Sequence, residues 1–113
     1  KGLKLDEFEK SESQRLGVPE AIGMRHRLPH FRHLFSDDGY AAGYYVYMWA
    51  EVLDSDGFEA FEESGDVFNQ ELAQRFKRYV LSAGGSMDPA QAYRSFRGRD
   101  PDPKALLRGR GLA

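Results

Sequence analysis

Residues 39–51, Gly-Tyr-Ala-Ala-Gly-Tyr-Tyr-Val-Tyr-Met-Trp-Ala-Glu, constrain the fold of this chain more than any other stretch. They hold four of its six tyrosines and its one tryptophan, and every residue from 44 to 50 is apolar or aromatic. A helix with apolar side chains around its whole circumference exposes large rings unless other protein covers it. We therefore expect a helix that is covered on every side.

Three tyrosines of this stretch recur at helical spacing. Tyr40, Tyr44 and Tyr47 stand at i, i+4 and i+7, which places them on one face of a helix. A phenol has an apolar ring and a polar tip, so three aligned phenols form a polar line along that face. Two interpretations stay open: the hydroxyls face a substrate, with His33 close by in the sequence, or they bond to backbone carbonyls in the core.

Apolar periodicity and punctuation by Gly and Pro predict helices along most of the chain. Asn69 is a candidate N-cap, and Asp88 followed by Pro89 is a strong start signal for a helix. Almost no alternating strand pattern is present, so the sequence predicts an all-α fold, and 113 residues predict one small domain. The predicted helices cover residues 6–16, 20–24, 40–63, 69–83, 89–96 and 104–108.

Six acidic residues lie in and just after the C-terminal half of the predicted central helix. Such a run is usually a solvated face, and this is the interpretation we favour over a catalytic pair of carboxylates. The residues are Asp54, Asp56, Glu59, Glu62, Glu63 and Asp66.

All three histidines lie in one short segment. His26, His30 and His33 have the i, i+4, i+7 spacing that would align three imidazoles for a metal ion on a single helix. Pro29 lies inside this span, where it removes a backbone donor and disfavours helix at the preceding residue. We therefore predict irregular structure here and no metal site.

Composition excludes several classes of function. The net charge of −2 and the absence of lysine-rich patterns argue against a nucleic-acid partner. No window approaches the roughly 20 apolar residues of a membrane span, and the charged N-terminal residues lack the apolar core of a signal peptide. The absence of cysteine fits a reducing compartment, so we expect a cytoplasmic protein with no membrane association.

Five collinear segments, between about Arg25 and the end, carry a resemblance to a known family. It is most specific through the tyrosine-rich stretch. The segments are Phe31-x-His33-Leu34-Phe35, residues 39–52, Leu81-Ser82-x-Gly84-Gly85-Ser86-x-Asp88, Phe96-x-Gly98-Arg99-Asp100-Pro101, and Leu106-Leu107-x-x-x-Gly111-Leu112. Together they resemble the C-terminal end of the thimet-oligopeptidase family, which includes oligopeptidase A and the peptidyl-dipeptidases (dipeptidyl carboxypeptidases).

The resemblance implies a mostly helical zinc peptidase that admits short peptides into a deep channel. The family holds zinc through a His-Glu-x-x-His helix and a further Glu, and the Glu of the motif activates the metal-bound water. This chain lacks that motif. Residues 1–113 are therefore expected to be the C-terminal substrate-binding portion of a longer peptidase, with the zinc motif upstream, no metal bound by this chain, and no activity of the chain alone.

The resemblance also implies roles for individual residues. His33 and Tyr40 match substrate-side residues of the family, and Tyr44 and Tyr47 match phenols that stabilise an oxyanion or hold the substrate backbone. The turn at residues 36–38 is longer than the commonest family pattern, which puts the pose of His33 in doubt. A dipeptide-releasing enzyme also needs a cation for the substrate carboxylate, and Arg25 and Arg27 are both candidates.

Two other classes of function remain as alternatives. The chain is either a non-catalytic helical module that binds peptides or other partners, or a helical domain whose tyrosines belong to the core. A reading frame that continues upstream into His-Glu-x-x-His distinguishes the peptidase from both. If the chain is one portion of a larger enzyme, its uncovered apolar face is expected to make the isolated chain self-associate.

Overall fold

The computed structural model describes residues 2–113, and this range is helical with no β-strand, which confirms the predicted all-α class. Contacts within the chain define two compact units, one that ends at Tyr44 and one formed by Tyr45–Ala113. The helices are α1 (Leu5–Arg15) and α2 (Arg32–Phe35) in the first unit, and α3 (Val46–Glu63), α4 (Gln70–Phe76), α5 (Pro89–Arg97) and α6 (Lys104–Gly109) in the second.

In the first unit, polar contacts hold the segment after α1 against that helix. The guanidinium of Arg27 forms ion pairs with Asp6 and Glu9, and Glu9 also accepts a 2.8 Å hydrogen bond from the backbone N–H of Leu28. The predicted helix at residues 20–24 is wrong. The N–H of Ile22 donates to the carbonyl of Pro19 in a single turn, and the chain goes no further into a helix.

The three histidines lie in three different local structures, as the position of Pro29 predicts. His26 precedes a 3₁₀ turn at Leu28–His30, His30 closes that turn, and His33 lies in α2. Pro29 occupies one of the first positions of the 3₁₀ turn, where its missing N–H costs no hydrogen bond. One helix therefore does not align the three imidazoles.

The long helix begins six residues later than predicted. Residues 39–45 form turns, in which Ala41 donates to Asp38 and Gly43 donates to Tyr40, and α3 starts at Val46. Ala42 has a φ of +52°, a left-handed conformation that an α-helix does not tolerate. Tyr40 and Tyr44 therefore precede the helix that carries Tyr47, and the expected stripe on one helical face is not formed.

The second unit has a small apolar core around Phe96, a residue of α5 that is 1% exposed. Val52 and Ala60 of α3 are also buried, and Phe76 packs edge-on against Phe96 with ring centroids 5.3 Å apart. Gly57 is buried on the same helix, and a Cβ at that position would lie 3.6 Å from the Phe96 ring. Contact with α5 therefore decides which face of α3 lies inside.

Both predicted caps of the second unit are confirmed. The side chain of Asn69 accepts a 3.1 Å hydrogen bond from the N–H of Leu72, and that of Asp88 accepts a 3.0 Å bond from the N–H of Gln91.

The helix that Asn69 begins changes from α-helical to π-helical hydrogen bonding before it ends. Lys77–Leu81 form a π-helical turn, closed by a 2.8 Å bond from the N–H of Ser82 to the carbonyl of Lys77.

The interpretation of the acidic run as a solvated face is wrong for Asp56. This carboxylate is completely buried, and it accepts hydrogen bonds from Arg99 at 2.6 Å and from the Tyr93 hydroxyl at 2.5 Å. Asp54, two residues earlier, is exposed as expected. A buried carboxylate is tolerated only with partners of this kind.

Arginines from the C-terminal part of the chain bind the remaining carboxylates on this side of α3. Arg97, whose side chain is 7% exposed, holds Glu63 through two hydrogen bonds of 2.7 and 2.8 Å. Arg108 forms an ion pair with Glu59, and Arg110 forms one with Glu51. α5 and α6 are thereby fixed to α3 through charge as well as through the apolar core.

Candidate functional site

The first unit brings three of the four predicted site residues into one aromatic cluster. The ring of His33 lies 4.8 Å from that of Tyr40 and 5.9 Å from that of Tyr44, and the two phenol rings are 5.5 Å apart. The two tyrosines are half-buried and the imidazole is exposed. One imidazole and two phenols thus lie in a single cluster of neighbouring rings.

A tight turn delivers Tyr40 to this cluster. The carboxylate of Asp37 accepts a 2.8 Å hydrogen bond from the N–H of Gly39, two residues later. A Cβ at position 39 would approach that same carboxylate oxygen to 3.0 Å, so a glycine fits here without displacing the bond. The extra length at residues 36–38 is therefore accommodated as an ordered turn beside α2.

Two further rings join the cluster, and neither was among the predicted site residues. Phe31 packs edge-on against Tyr44 with centroids 4.8 Å apart, and His26 stacks on Phe31 at 4.9 Å. Phe31 was noted in the sequence only as part of a motif, and His26 only as a rejected metal ligand. The short spacing from Phe31 to His33 is the one sequence signal that links Phe31 to the cluster.

Tyr47, the fourth predicted site residue, belongs to the second unit. It lies in the first turn of α3, and its side chain is half exposed. Its neighbours Tyr45, Met48 and Trp49 are exposed as well, Tyr45 by 74%. The expected cover on every side of this stretch is therefore not provided by the residues of the second unit.

The two candidate arginines differ in their surroundings. Arg27 is held by Asp6 and Glu9, and its hydrogen bonds to these carboxylates raise its pKa above the ordinary value. Arg25 is exposed and makes no ion pair with the described part of the chain. Of the two guanidinium groups, that of Arg25 is the one that remains available to a carboxylate from outside.

No group of three or more His, Cys, Asp or Glu side chains within residues 2–113 is arranged to hold a metal ion.

An open apolar cavity of about 1180 Å³ lies within the second unit. It runs between α3, α4 and α5, and aromatic side chains dominate its wall. The rings that line it include Trp49, Phe58, Phe61, Phe76, Tyr79 and Phe96.

None of the helices described in residues 2–113 is long and apolar enough to cross a membrane.

Comparison with known proteins identifies the family. The model of Peptidase family M3 matches residues 3–112, so the chain belongs to this peptidase family. It is 49% identical over 87 residues to oligopeptidase A of Escherichia coli, and 39% identical over 110 residues to the dipeptidyl carboxypeptidase of the same organism. The probable cytosolic oligopeptidase A of Arabidopsis thaliana is 49% identical over 85 residues. The resemblance inferred from the sequence motifs is thereby confirmed.

The three alignments cover most of this chain but little of each relative. They span 76%, 96% and 73% of this chain, and 12%, 16% and 12% of the respective relatives. The chain therefore corresponds to roughly an eighth of the length of the curated relatives that it matches.

Proposed function

We propose that this chain is the C-terminal substrate-binding portion of a zinc peptidase that hydrolyses short peptides. The observation that carries this proposal is the clustering of His33, Tyr40 and Tyr44 in a chain of Peptidase family M3. The names of the relatives, oligopeptidase A and dipeptidyl carboxypeptidase, support peptides as the substrate class. Both an oligopeptidase and a dipeptide-releasing enzyme fit this description.

In this proposal the tyrosines act as hydrogen-bond donors. Attack of water on a peptide carbonyl places negative charge on the carbonyl oxygen, and a phenol O–H directed at that oxygen stabilises the charge. We assign this role to Tyr47 and Tyr44, which also hold the substrate backbone. Loss of one such donor typically raises the barrier by about 3 kcal/mol.

His33 and Tyr40 bind the substrate. The imidazole of His33 is exposed beside both phenol rings, where its N–H can donate to a substrate carbonyl while the rings restrict its position. The exposed guanidinium of Arg25 is our candidate for the carboxylate of a peptide C-terminus, because Arg27 is already paired with two carboxylates.

Zinc, which activates water and polarises the carbonyl in this family, is proposed to be held by residues outside this chain. We infer that these residues and the short peptide substrate are the partners of the chain, without nucleic acid or membrane. The name of the Arabidopsis relative, probable cytosolic oligopeptidase A, supports a cytoplasmic location. The chain alone is proposed to be inactive.

The exposed aromatic cavity supports the expectation that the isolated chain self-associates. Trp49 and Phe58 are each about half exposed on its wall, and Phe68 lies exposed nearby in sequence. Burial of such rings against a second copy removes apolar area from water. Light scattering of the isolated chain is expected to show mass that grows with concentration, whereas a strict monomer at high concentration would contradict this part of the proposal.

The catalytic assignment is tested in the whole zinc-containing peptidase with Tyr47→Phe. Cleavage of a short peptide with a blocked N-terminus is expected to lose a factor on the order of 10² to 10³ in kcat with a much smaller change in KM, because the phenol O–H interacts more strongly with the oxyanion than with the bound substrate. Tyr45→Phe is the matched control, since this neighbouring phenol is 74% exposed and has no assigned role. A fully active Tyr47→Phe enzyme that still binds zinc would remove the role of Tyr47.

The same protein preparation distinguishes the peptidase from the non-catalytic alternative. A protein that binds peptides without cleaving them, and that contains no zinc, would support a binding module instead of a peptidase.

A further inference from the structure

The ring of Tyr44 is oriented by edge contacts with other rings. Phe31 meets it at 4.8 Å with an interplanar angle of 75°, Tyr40 at 5.5 Å with 71°, and His33 at 5.9 Å with 77°. Edge-to-face geometry of this kind restricts both the position and the tilt of a ring. Tyr40 and His33 carry polar atoms that face substrate in the proposed function, whereas Phe31 has none.

Phe31 makes the shortest of these contacts, and its own position is fixed by the backbone. Its N–H donates to the carbonyl of Leu28, which closes the 3₁₀ turn, and its carbonyl accepts from the N–H of Leu34 at the start of α2. The residue thus forms the corner between two helical turns. A side chain on a corner bonded from both directions has less freedom than one on an open loop.

His26 restricts the Phe31 ring from another side. The two rings are stacked with centroids 4.9 Å apart and an interplanar angle of 30°. The Phe31 ring therefore lies in a series from His26 to Tyr44, stacked on the former and edge-on to the latter. Displacement of the Phe31 ring removes its edge contact with Tyr44.

We propose that Phe31 is a positioning residue for Tyr44, which it holds in the orientation that directs the phenol O–H at the substrate. This inference rests on the proposed role of Tyr44. Phe31 itself has no group that donates or accepts a proton, so any effect on turnover is transmitted through the ring that it contacts. Misplacement of a catalytic group by about 1 Å is enough to cost on the order of 10²-fold in rate.

The test is a double-mutant cycle in the whole zinc-containing peptidase, with Phe31→Leu, Tyr44→Phe and the double variant. Tyr44→Phe keeps the ring and removes only the hydroxyl. We expect Phe31→Leu to lower kcat/KM by about tenfold or more when Tyr44 is present, and by much less when position 44 is Phe, because there is then no hydroxyl to misplace.

Two controls separate positioning from a general loss of structure. Phe35→Leu makes the same chemical change four residues later, at a side chain that is 66% exposed, and is expected to leave kcat/KM unchanged. Phe31→Tyr keeps the ring and is expected to retain most of the activity. Thermal unfolding of each variant shows whether lost activity follows lost stability.

Each outcome is decisive. If Tyr44→Phe is impaired and Phe31→Leu loses the same factor in both backgrounds, or none, the positioning role is overturned while the proposed function stands. If Tyr44→Phe itself is fully active, the role of Tyr44 in the proposed function is wrong and the inference fails with it.

Discussion

The hydroxyl of Tyr93 donates a 2.5 Å hydrogen bond to the carboxylate of Asp56, which is completely buried in the second unit. Arg99 donates to the other carboxylate oxygen at 2.6 Å, and Arg97 donates from Nε to the Asp56 backbone carbonyl at 3.0 Å. One carboxylate of α3 thus connects that helix to α5 and to the loop that follows α5. The cluster lies beside the small apolar core around Phe96, and it adds polar contacts between these elements.

Removal of the buried carboxylate is expected to destabilise the chain strongly. Asp56→Ala removes the carboxylate that accepts hydrogen bonds from Arg99 and from the Tyr93 hydroxyl. A buried or partly buried donor that loses its acceptor typically costs about 1–3 kcal/mol in the free energy of unfolding. Urea denaturation monitored by circular dichroism measures this loss in the free energy of unfolding. Asp54→Ala, the same change at an exposed position of α3, is the control, and equal losses in the two variants would contradict a special role for Asp56.

Tyr93 is expected to make the chain sensitive to alkali. Burial, and then the hydrogen bond to Asp56, raise the pKa of the Tyr93 phenol well above its usual value of 10.0. The folded state therefore favours the neutral phenol. Its contribution to stability is complete below about pH 10, the pKa in the unfolded chain, and is lost as the pH rises further.

The Tyr93 prediction is checked with Tyr93→Phe. A spectroscopic titration of tyrosinate is expected to lose its latest-ionising component, and the free energy of unfolding should fall less between neutral pH and strong alkali than in the unsubstituted chain. Tyr79→Phe, in the same unit, serves as the control and should keep the late component. If the two titrations are the same, Tyr93 does not hold the raised pKa.

Glu63 is expected to contribute stability that disappears in acid. Its two hydrogen bonds from Arg97 lower the pKa of this carboxyl below the ordinary 4.5. A depressed pKa in the folded state means that the contribution is present above about pH 4.5 and is lost as the pH falls through the folded value. At neutral pH the free energy of unfolding of the Glu63→Gln variant should therefore be lower than that of the unsubstituted chain. It should also decline less steeply than that of the unsubstituted chain as the pH falls. Glu62→Gln, at the exposed neighbouring position, should keep the original acid dependence.

Two glycines are expected to respond in opposite directions to alanine. Gly57 lies inside α3, and an added Cβ would make an ordinary contact at 3.6 Å with the Phe96 ring, so Gly57→Ala should stabilise the chain by up to about 1 kcal/mol. Gly98 ends α5 with a φ of +83°, where alanine is strained by about 1 kcal/mol or more. Thermal melts of the two variants compare them directly. A destabilised Gly57→Ala would mean that the helix packs more tightly against Phe96 than this distance indicates.

Local chemistry explains which predictions from the sequence succeeded. The caps at Asn69 and Asp88 were predictable because a cap involves residues only three positions apart. Pro29 was equally predictive, since its ring restricts the backbone in any context. The family was recognisable because the spacing of His33 and the tyrosines is itself a local pattern, and it pointed to three rings that the structure brings together.

The predictions from the sequence that were wrong have long-range causes or depend on a single dihedral angle. The burial of Asp56 depends on Arg97 and Arg99, which lie 41 and 43 residues further along the chain. The acidic residues around Asp56 in the sequence do not indicate these distant partners. The late start of α3 depends on Ala42, a good helix former by propensity that the tertiary structure places at a φ of +52°. Propensity is worth less than 1 kcal/mol per ordinary residue and is easily overridden by packing.

For this chain, the sequence alone determined the helical class, the helix starts that depend on capping, the family, and the residue types of the candidate site. These properties follow from interactions between residues a few positions apart or from sequence motifs. Only the tertiary structure decided which carboxylate of α3 is buried, which arginine remains available to a ligand, and which ring lies against Tyr44. Those properties arise where distant segments meet, because burial and pairing are set by neighbours in space rather than by neighbours in sequence.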